Sequence, residues 1–280
     1  MRWVMAGCLI GGMVAGLRAD YFEIPDAKPE TPLPARPGYP LTIDLGNDEN
    51  LSFVWIAPMK MWVGQYEVSN GQFRRYDASH DSDSTNLFGR DMDTDVQPVV
   101  QVSWEAANNY CGWLNRHYGS RIPSDAFFRL PTEKEWETFA RCGDQRIYPW
   151  GNKWPPPNTH NYRGVEGSGI LYSLFQKEQF IQGHKDGYVV PCPITNSGVN
   201  AWGLYGVGGN VREWCEDWSD AKKETRVTRG GAWNNENESL LRISHRATAA
   251  PNWDNEFIGF RIVIGPLPPE RYPSPLLNDK

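Results

Sequence analysis

The chain has 280 residues, 22% of them charged, a formal net charge of -6 and no run of Lys and Arg, so bulk electrostatics exclude nucleic acid as a partner. Its 13 Trp, 12 Tyr and 11 Phe, set against a mean hydropathy of -0.58, imply a core of few, large side chains inside a polar shell. With 27 Gly and 22 Pro, long regular elements should be scarce, and the length suits one large domain rich in loops.

Residues 1–19 read as a signal peptide. Met1-Arg2 is a short positive start, Trp3 to Leu17 is apolar, and Leu17-Arg18-Ala19 can precede cleavage. The apolar run is short for a bilayer, so the expectation is export with no membrane span after signal removal, to the periplasm, the medium or the cell surface. Retention as an anchor is the alternative. Cys8 lies too early in the run for lipid attachment. The mature chain keeps Cys111, Cys142, Cys192 and Cys215, an even set that permits two disulfides of open pairing, with no CxxC or His spacing for zinc.

Residues 20–50 form a Pro-rich lead-in, the domain proper is expected over 51–265, and 266–280 is a Pro-rich tail. LSFVWI (Leu51 to Ile56) and MWVGQYEV (Met61 to Val68) read as strands. SNGQ from Ser69 is a capping box with Phe73 and Tyr76 on one helical face, and the acidic stretch from His80 to Val96 reads as a surface loop. Ser103 caps a helix in which Trp104, Ala107, Cys111 and Leu114 recur at helical spacing. Thr132 and Glu135 make a second capping box ahead of Trp136, Phe139 and Ala140, and Gly143 stops that helix. GVEGSG (Gly164 to Gly169) has no strand-to-helix context and no Lys, so it is no phosphate loop.

The segment from Gly203 to Trp218, GLYGVGGNVREWCEDW, is expected to be a tightly folded central loop. Gly203, Gly206, Gly208 and Gly209 permit turns and close approaches, Trp214 and Trp218 supply buried area, and carbonyls and carboxylates are available to a hard cation. RVTRGGAW (Arg226 to Trp233) and GFRIVI (Gly259 to Ile264) read as late strands.

The ordered blocks YEVSNGQF, QPVVQVSWEAANNYCGWLN, FRLPTEKEWETFAR, YPWGN, GLYGVGGNVREWCEDW, RVTRGGAW and IGFR together resemble the formylglycine-generating enzyme family, the sulfatase-modifying factor domains. The resemblance covers about Phe53 to Val263. It implies one α+β domain, a variant of the C-type-lectin-like fold with little regular secondary structure.

Family enzymes oxidise a client cysteine with copper held by two cysteines just after the RGG motif. Here the position of the first is near Asn235 and of the second between Glu238 and Leu240, and no cysteine follows Cys215. Asn and Glu cannot form the linear thiolate pair that Cu(I) favours, so no copper is expected and the chain is not expected to be a formylglycine-generating oxidase.

The resemblance also implies structural calcium. One site would take the Asn161 side chain, the Tyr162 carbonyl, the Asp186 side chain and the Tyr188 carbonyl. A second would take the carbonyls of Gly209 and Val211 and the Glu213 carboxylate, its remaining ligand position being the side-chain-free Gly206. In the bland reading Glu213 and Asp186 merely cap loop amides.

The family's client groove would be lined here by Trp233, Asn234, Asn235, Glu238, Arg242 and Trp253, a set suited to a protein, peptide or glycan ligand, although Trp here is commonly core. His245 is a candidate base, but with no nucleophile or second base beside it the structural role is preferred. Arg246 and Arg261 match family arginines that tie loops through carboxylates. Three functions compete: an exported non-catalytic binding or accessory module, an enzyme of other oxidative or metabolite-maturation chemistry on the same scaffold, and a structural component of an envelope machine.

Overall fold

The computed structural model describes residues 35–83, 89–167 and 179–268. The expected signal peptide, the first part of the lead-in and most of the tail lie outside the described residues. So does the end of the GVEGSG run.

The first strand, β1 (Leu41–Gly46), lies ahead of the domain start expected at Leu51. Its Leu41, Ile43 and Leu45 are buried while Thr42 and Asp44 are exposed, the period-2 pattern of a half-buried strand. Asn47 and Asp48 both take positive φ, 55° and 64°, as a two-residue hairpin turn needs. The chain thus folds straight back into β2 (Glu49–Ile56), with Leu41 opposite Phe53. The lead-in therefore gives way to the sheet at Leu41.

After β3 (Met61–Gly64) comes a short helix, α1 (Asn70–Arg74), then α2 (Trp104–Tyr118), β4 (Phe127–Arg129) and α3 (Glu133–Arg141). The expected strand through Val68 stops at Gly64. Every expected helix start is present. Ser69 Oγ accepts from Gln72 N at 3.2 Å while Gln72 Oε1 accepts from Ser69 N at 2.9 Å. Ser103 Oγ accepts from Ala106 N at 3.1 Å, and Thr132 with Glu135 closes the second box at 3.2 and 2.8 Å. Such caps contribute about 1 kcal/mol each. Cys142 and Gly143 leave α3 through left-handed φ of 50° and 79°.

The expected central loop divides in two. Its first half is a turn run, with φ of 78°, 70° and 82° at Gly203, Gly206 and Gly208 and 62° at Asn210. Its second half is a strand, β5 (Arg212–Trp218). Arg212, Glu213, Glu216 and Asp217 disguise it in the sequence. Glu213 is nevertheless fully buried, and Trp214 and Cys215 are buried with it.

The remaining strands are β6 (Arg226–Arg229), β7 (Arg246–Ala249), β8 (Ile258–Gly259) and β9 (Val263–Gly265). Strand β6 ends early because Gly230, at φ 85°, leaves the extended region. One sheet has the order β1-β2-β3-β9-β4, and the second β7-β6-β5-β8, with β5 and β8 parallel. Both observations fit the α+β, C-type-lectin-like class.

A large apolar cluster packs Phe73, Tyr110, Phe128 and Phe260 beside α2, and a second packs Trp136, Phe139, Val227 and Val263 beneath α3. Trp side chains lock the layers by donating to distant carbonyls: Trp104 Nε1 to Cys215 O and Trp214 Nε1 to Val102 O, each at 2.9 Å. The Arg226 guanidinium is sandwiched between the Trp104 and Trp218 rings at 3.6 and 3.5 Å, a cation–π stack joining α2 to the second sheet.

The two permitted disulfides are not formed: no disulfide joins any of Cys111, Cys142, Cys192 and Cys215. Cys111 packs into the first cluster and Cys215 into the second, so each behaves as a small core hydrophobe. Among the described residues no helix is long and apolar enough to cross a membrane.

Candidate functional site

Three neighbourhoods carry the chemistry, and the turn run ahead of β5 supplies the first. Glu213 and Arg261 are both fully buried. The Glu213 carboxylate accepts from Arg261 Nε at 3.1 and 3.0 Å, from Arg261 Nη2 at 2.7 Å and from Trp136 Nε1 at 2.8 Å. Arg261 also donates to Gly64 O at 2.9 Å and Tyr205 O at 2.7 Å, tying the first sheet to the turn run.

Close by, Glu67 accepts from Asn210 Nδ2 at 2.8 Å and Val211 N at 3.3 Å. Burial first, and the Glu213 charge second, push its carboxyl well above the usual range. The calcium site implied at Gly209, Val211 and Glu213 does not fit this arrangement. Its carboxylate is taken up by a guanidinium, and Glu67 fills the space beside Gly206.

The second neighbourhood joins Asn161, Tyr162, Asp186 and Tyr188, which the structure brings together. Asp186 Oδ2 accepts from Tyr162 N at 2.9 Å and Oδ1 from Tyr188 N at 2.8 Å. His184 Nε2 stands 3.3 Å from Asp186 Oδ2. Tyr162 is anchored from the other end, its hydroxyl donating to Gly208 O at 2.6 Å. Asn161 Nδ2 donates to Val190 O at 3.0 Å, whereas Asn161 Oδ1 is buried without a donor.

Glu166, which sequence reasoning passed over inside the GVEGSG run, completes the group. Its Oε1 accepts from Gly187 N, its Oε2 is buried without a partner, and the Asp186 side chain is near enough to bear on its titration. Burial raises the Asp186 pKa. Two neighbouring carboxyl groups are relieved by a proton or a cation, and the orphaned oxygens of Asn161 and Glu166 suit a hard cation. Among the described residues no group of three or more His, Cys, Asp or Glu is arranged around a metal position, so amide and carbonyl oxygens would have to complete any such shell. A cavity of about 420 Å³ opens beside Asp186 and Tyr188, lined also by Thr195, Asn196 and Tyr205.

The third neighbourhood is the loop after Gly231. Trp233 is 2% exposed, donates from Nε1 to Glu256 O at 3.1 Å and packs on Phe257, so it belongs to the core and lines no groove. Asn235 is a loop-folding residue. Its Oδ1 accepts from Ala232 N at 3.0 Å and from Arg212 Nη2 at 3.3 Å, and its Nδ2 donates to Asn234 Oδ1 at 3.2 Å. Glu238 accepts from the Tyr148 hydroxyl and from Arg242 Nη2 at 2.9 Å, making an exposed pair beside a buried tyrosine. Burial and that carboxylate push the Tyr148 hydroxyl up to about 12.

Trp253 is 53% exposed in the β7–β8 connection, away from these hydrogen bonds. His245 precedes β7, half-buried, its Nε2 without a partner; burial lowers its pKa, and the Arg212 and Arg229 charges add to that. Arg246 Nε donates to Glu133 Oε1 at 2.9 Å, the expected loop tie. Arg212 was missed by sequence reasoning. Its place beside Asn235 follows from the strand β5, which the glycine-rich run conceals. Taken together, the loop carries amides, cations and one acid, and no thiol pair.

Residues 44–266 match the Sulfatase-modifying factor enzyme 1-like domain. A Formylglycine-generating enzyme of Thermomonospora curvata is 33% identical over 191 residues, covering 61% of this chain and 56% of the relative. The Inactive C-alpha-formylglycine-generating enzyme 2 of Bos taurus is 33% identical over 177 residues, covering 60% and 50%. The chain thus spans about half the length of the curated relatives it matches. Among solved structures, PvdO from Pseudomonas aeruginosa is similar at a TM-score of 0.53 and 23% identity, covering 81% of this chain and 91% of that one. CarF is similar at 0.52 and 19%, covering 74% and 87%. Both likenesses concern the fold.

Proposed function

The chain belongs to the sulfatase-modifying factor enzyme family, and from that premise we propose that it is an exported, non-catalytic binding or accessory module whose groove holds a protein, peptide or glycan. The observation that carries this reading is Asn235. At the place where the resemblance puts the first copper cysteine, its amide is consumed by the fold of its own loop, through Ala232 N, Arg212 and Asn234. The similarity to relatives named as inactive supports it. Copper has no part in the proposal, because the thiolates that Cu(I) favours have no counterpart after Cys215.

A structural calcium ion is the second part of the proposal. The Asp186 and Glu166 carboxylates, Asn161 Oδ1 and the carbonyls of Tyr162 and Tyr188 would hold it. Bound there, calcium would neutralise two carboxylates that otherwise contest one proton. A second reading, an enzyme of other chemistry on this scaffold, draws on His245 with its unpartnered Nε2.

The full chain incubated with copper, oxygen and a cysteine-containing sulfatase peptide should leave the thiol unchanged by mass spectrometry. An aldehyde product would overturn the non-catalytic reading. A stoichiometric partner retained from envelope extract by the chain, and lost by Asn234→Arg, supports the groove as the binding surface; equal retention by the variant counts against it.

A further inference from the structure

Strand register brings an arginine and a histidine to one end of the second sheet. Glu213 of β5 stands opposite Arg229 of β6, and Arg229 opposite Arg246 of β7. Arg212 directly precedes Glu213 and His245 directly precedes Arg246, so both stand at the end of the sheet where β6 gives way to the turn at Gly230. Neighbouring strands are about 4.8 Å apart, so the ends of β5 and β7 are separated by roughly 10 Å across β6, within reach of an arginine stem and a small bound group.

The two differ from the other arginines nearby in what they lack. Arg129 pairs with Glu135, Arg229 with Glu133 and Glu137, and Arg261 with Glu213. Arg212 has no carboxylate in ion-pair range among the described residues. The acceptor its guanidinium meets is the neutral Asn235 Oδ1, at 3.3 Å, and its Nε is buried without one. His245 Nε2 is likewise buried without a partner, as is Arg229 Nε behind them. Arg212, Asn234 and His245 are each half-buried, so the spot keeps a side open to solvent.

A partly desolvated guanidinium with no anion is costly, and the orphaned Nε–H donors of Arg212 and Arg229, beside an imidazole nitrogen that can carry a proton, call for an acceptor atom on the ligand. The planar fork of arginine matches oxyanions and gives charge-assisted bonds about twice as strong as neutral ones.

We propose that Arg212 and His245 form the receptor for an oxyanion, the carboxylate, sulfate or phosphate group of the ligand held in the groove. This rests on the binding-module reading and sharpens it: the ligand is anionic at the point where the enzymes of the family hold copper. A neutral His245 can carry its proton on Nε2 and donate it, so the site does not require imidazolium.

The test is titration of the full chain with sodium acetate, sulfate and inorganic phosphate at constant ionic strength against chloride. It is read by calorimetry and by the NMR signal of the Arg212 Nε–H. A saturable response is expected from at least one oxyanion. Preference for acetate would point to an acidic peptide or uronic acid, preference for sulfate or phosphate to an ester. Arg212→Gln should weaken it at least about tenfold, Arg212→Lys less because charge is kept and the fork lost, and His245→Gln about threefold. Arg146→Gln, whose guanidinium is paired with Asp144 elsewhere on the surface, should bind like the parent chain.

No saturable response, or an undiminished one in Arg212→Gln folded to the parent melting temperature in chloride, overturns the proposal. That failure is separable from failure of the binding module. A partner still captured by Arg212→Gln and lost by Asn234→Arg keeps the module and removes the oxyanion, whereas aldehyde formation on a sulfatase peptide removes the module itself.

Discussion

Glu67 and Gly206 share one place in the core: a Cβ built on Gly206 would lie 2.5 Å from Glu67 Oε2. The glycine is required twice over, by that carboxylate and by its own φ of 70°. Gly206→Ala should therefore destabilise the chain by about 2–5 kcal/mol, combining ~1–2 for a left-handed non-glycine with ~1–3 for displacing a buried, hydrogen-bonded acid. Urea unfolding checks the figure. A loss below 1 kcal/mol would mean that Glu67 turns aside freely.

The buried Glu213–Arg261 pair makes the second prediction. Removing one partner strands a charge in the interior, so Arg261→Met or Glu213→Leu alone should cost about 3–5 kcal/mol. The double variant should recover a large part of that, because two apolar side chains need no compensation. A double-mutant cycle in denaturant measures the coupling. A double variant as unstable as the sum of the singles would contradict it.

Calcium supplies the third. Chelation should lower the melting temperature of the parent chain, and added calcium should raise it as the logarithm of its concentration above Kd. Asp186→Ala should melt at one temperature in both conditions, and Glu166→Gln should show a reduced response. Unchanged melting of the parent chain on chelation would remove the ion from the account.

The fourth concerns pH. His160 is 5% exposed, and burial, with the nearby His184, pulls its pKa down from 6.5 to about 4. The unfolded state then binds the extra proton between those values. The stability this histidine contributes is complete above the unfolded pKa and lost as pH falls toward the folded one, an effect of about 3 kcal/mol. Denaturant curves at pH 7 and pH 4 should show the parent chain losing about that much more than His160→Gln. Parallel losses would place the acid sensitivity elsewhere.

What the sequence made legible was local. The caps at Ser69, Ser103 and Thr132 lie within three residues of their partners, so spacing alone reveals them. Strand β1 escaped notice because prolines precede it, and β5 because Arg212, Glu213, Glu216 and Asp217 make a buried strand look polar. Its acidity is cancelled by groups as remote as Arg261. The same holds for the sites. Asn161, Tyr162, Asp186 and Tyr188 were reached through ordered family blocks, whereas Glu166 sat in a run judged for phosphate alone. Trp233 lies in the core and not in the expected groove, since an aromatic residue in a loop does not announce which way its ring turns. Arg212 could not be singled out at all, for its distinguishing feature is the absence of a carboxylate partner in space.

Strand β9 sits inside the first sheet, between β3 and β4, with Val63 opposite Val263 and Arg129 opposite that same valine. Until residues 263–265 arrive, β3 and β4 are open edges with no neighbour to join them. The sheet therefore closes only after nearly the whole domain has been synthesised. Pairing across such sequence separation is slow and leaves strand edges exposed while it waits. A chain shortened before Val263 should collect as aggregates, and the intact one should refold slowly and gain most from a chaperone that shields β3.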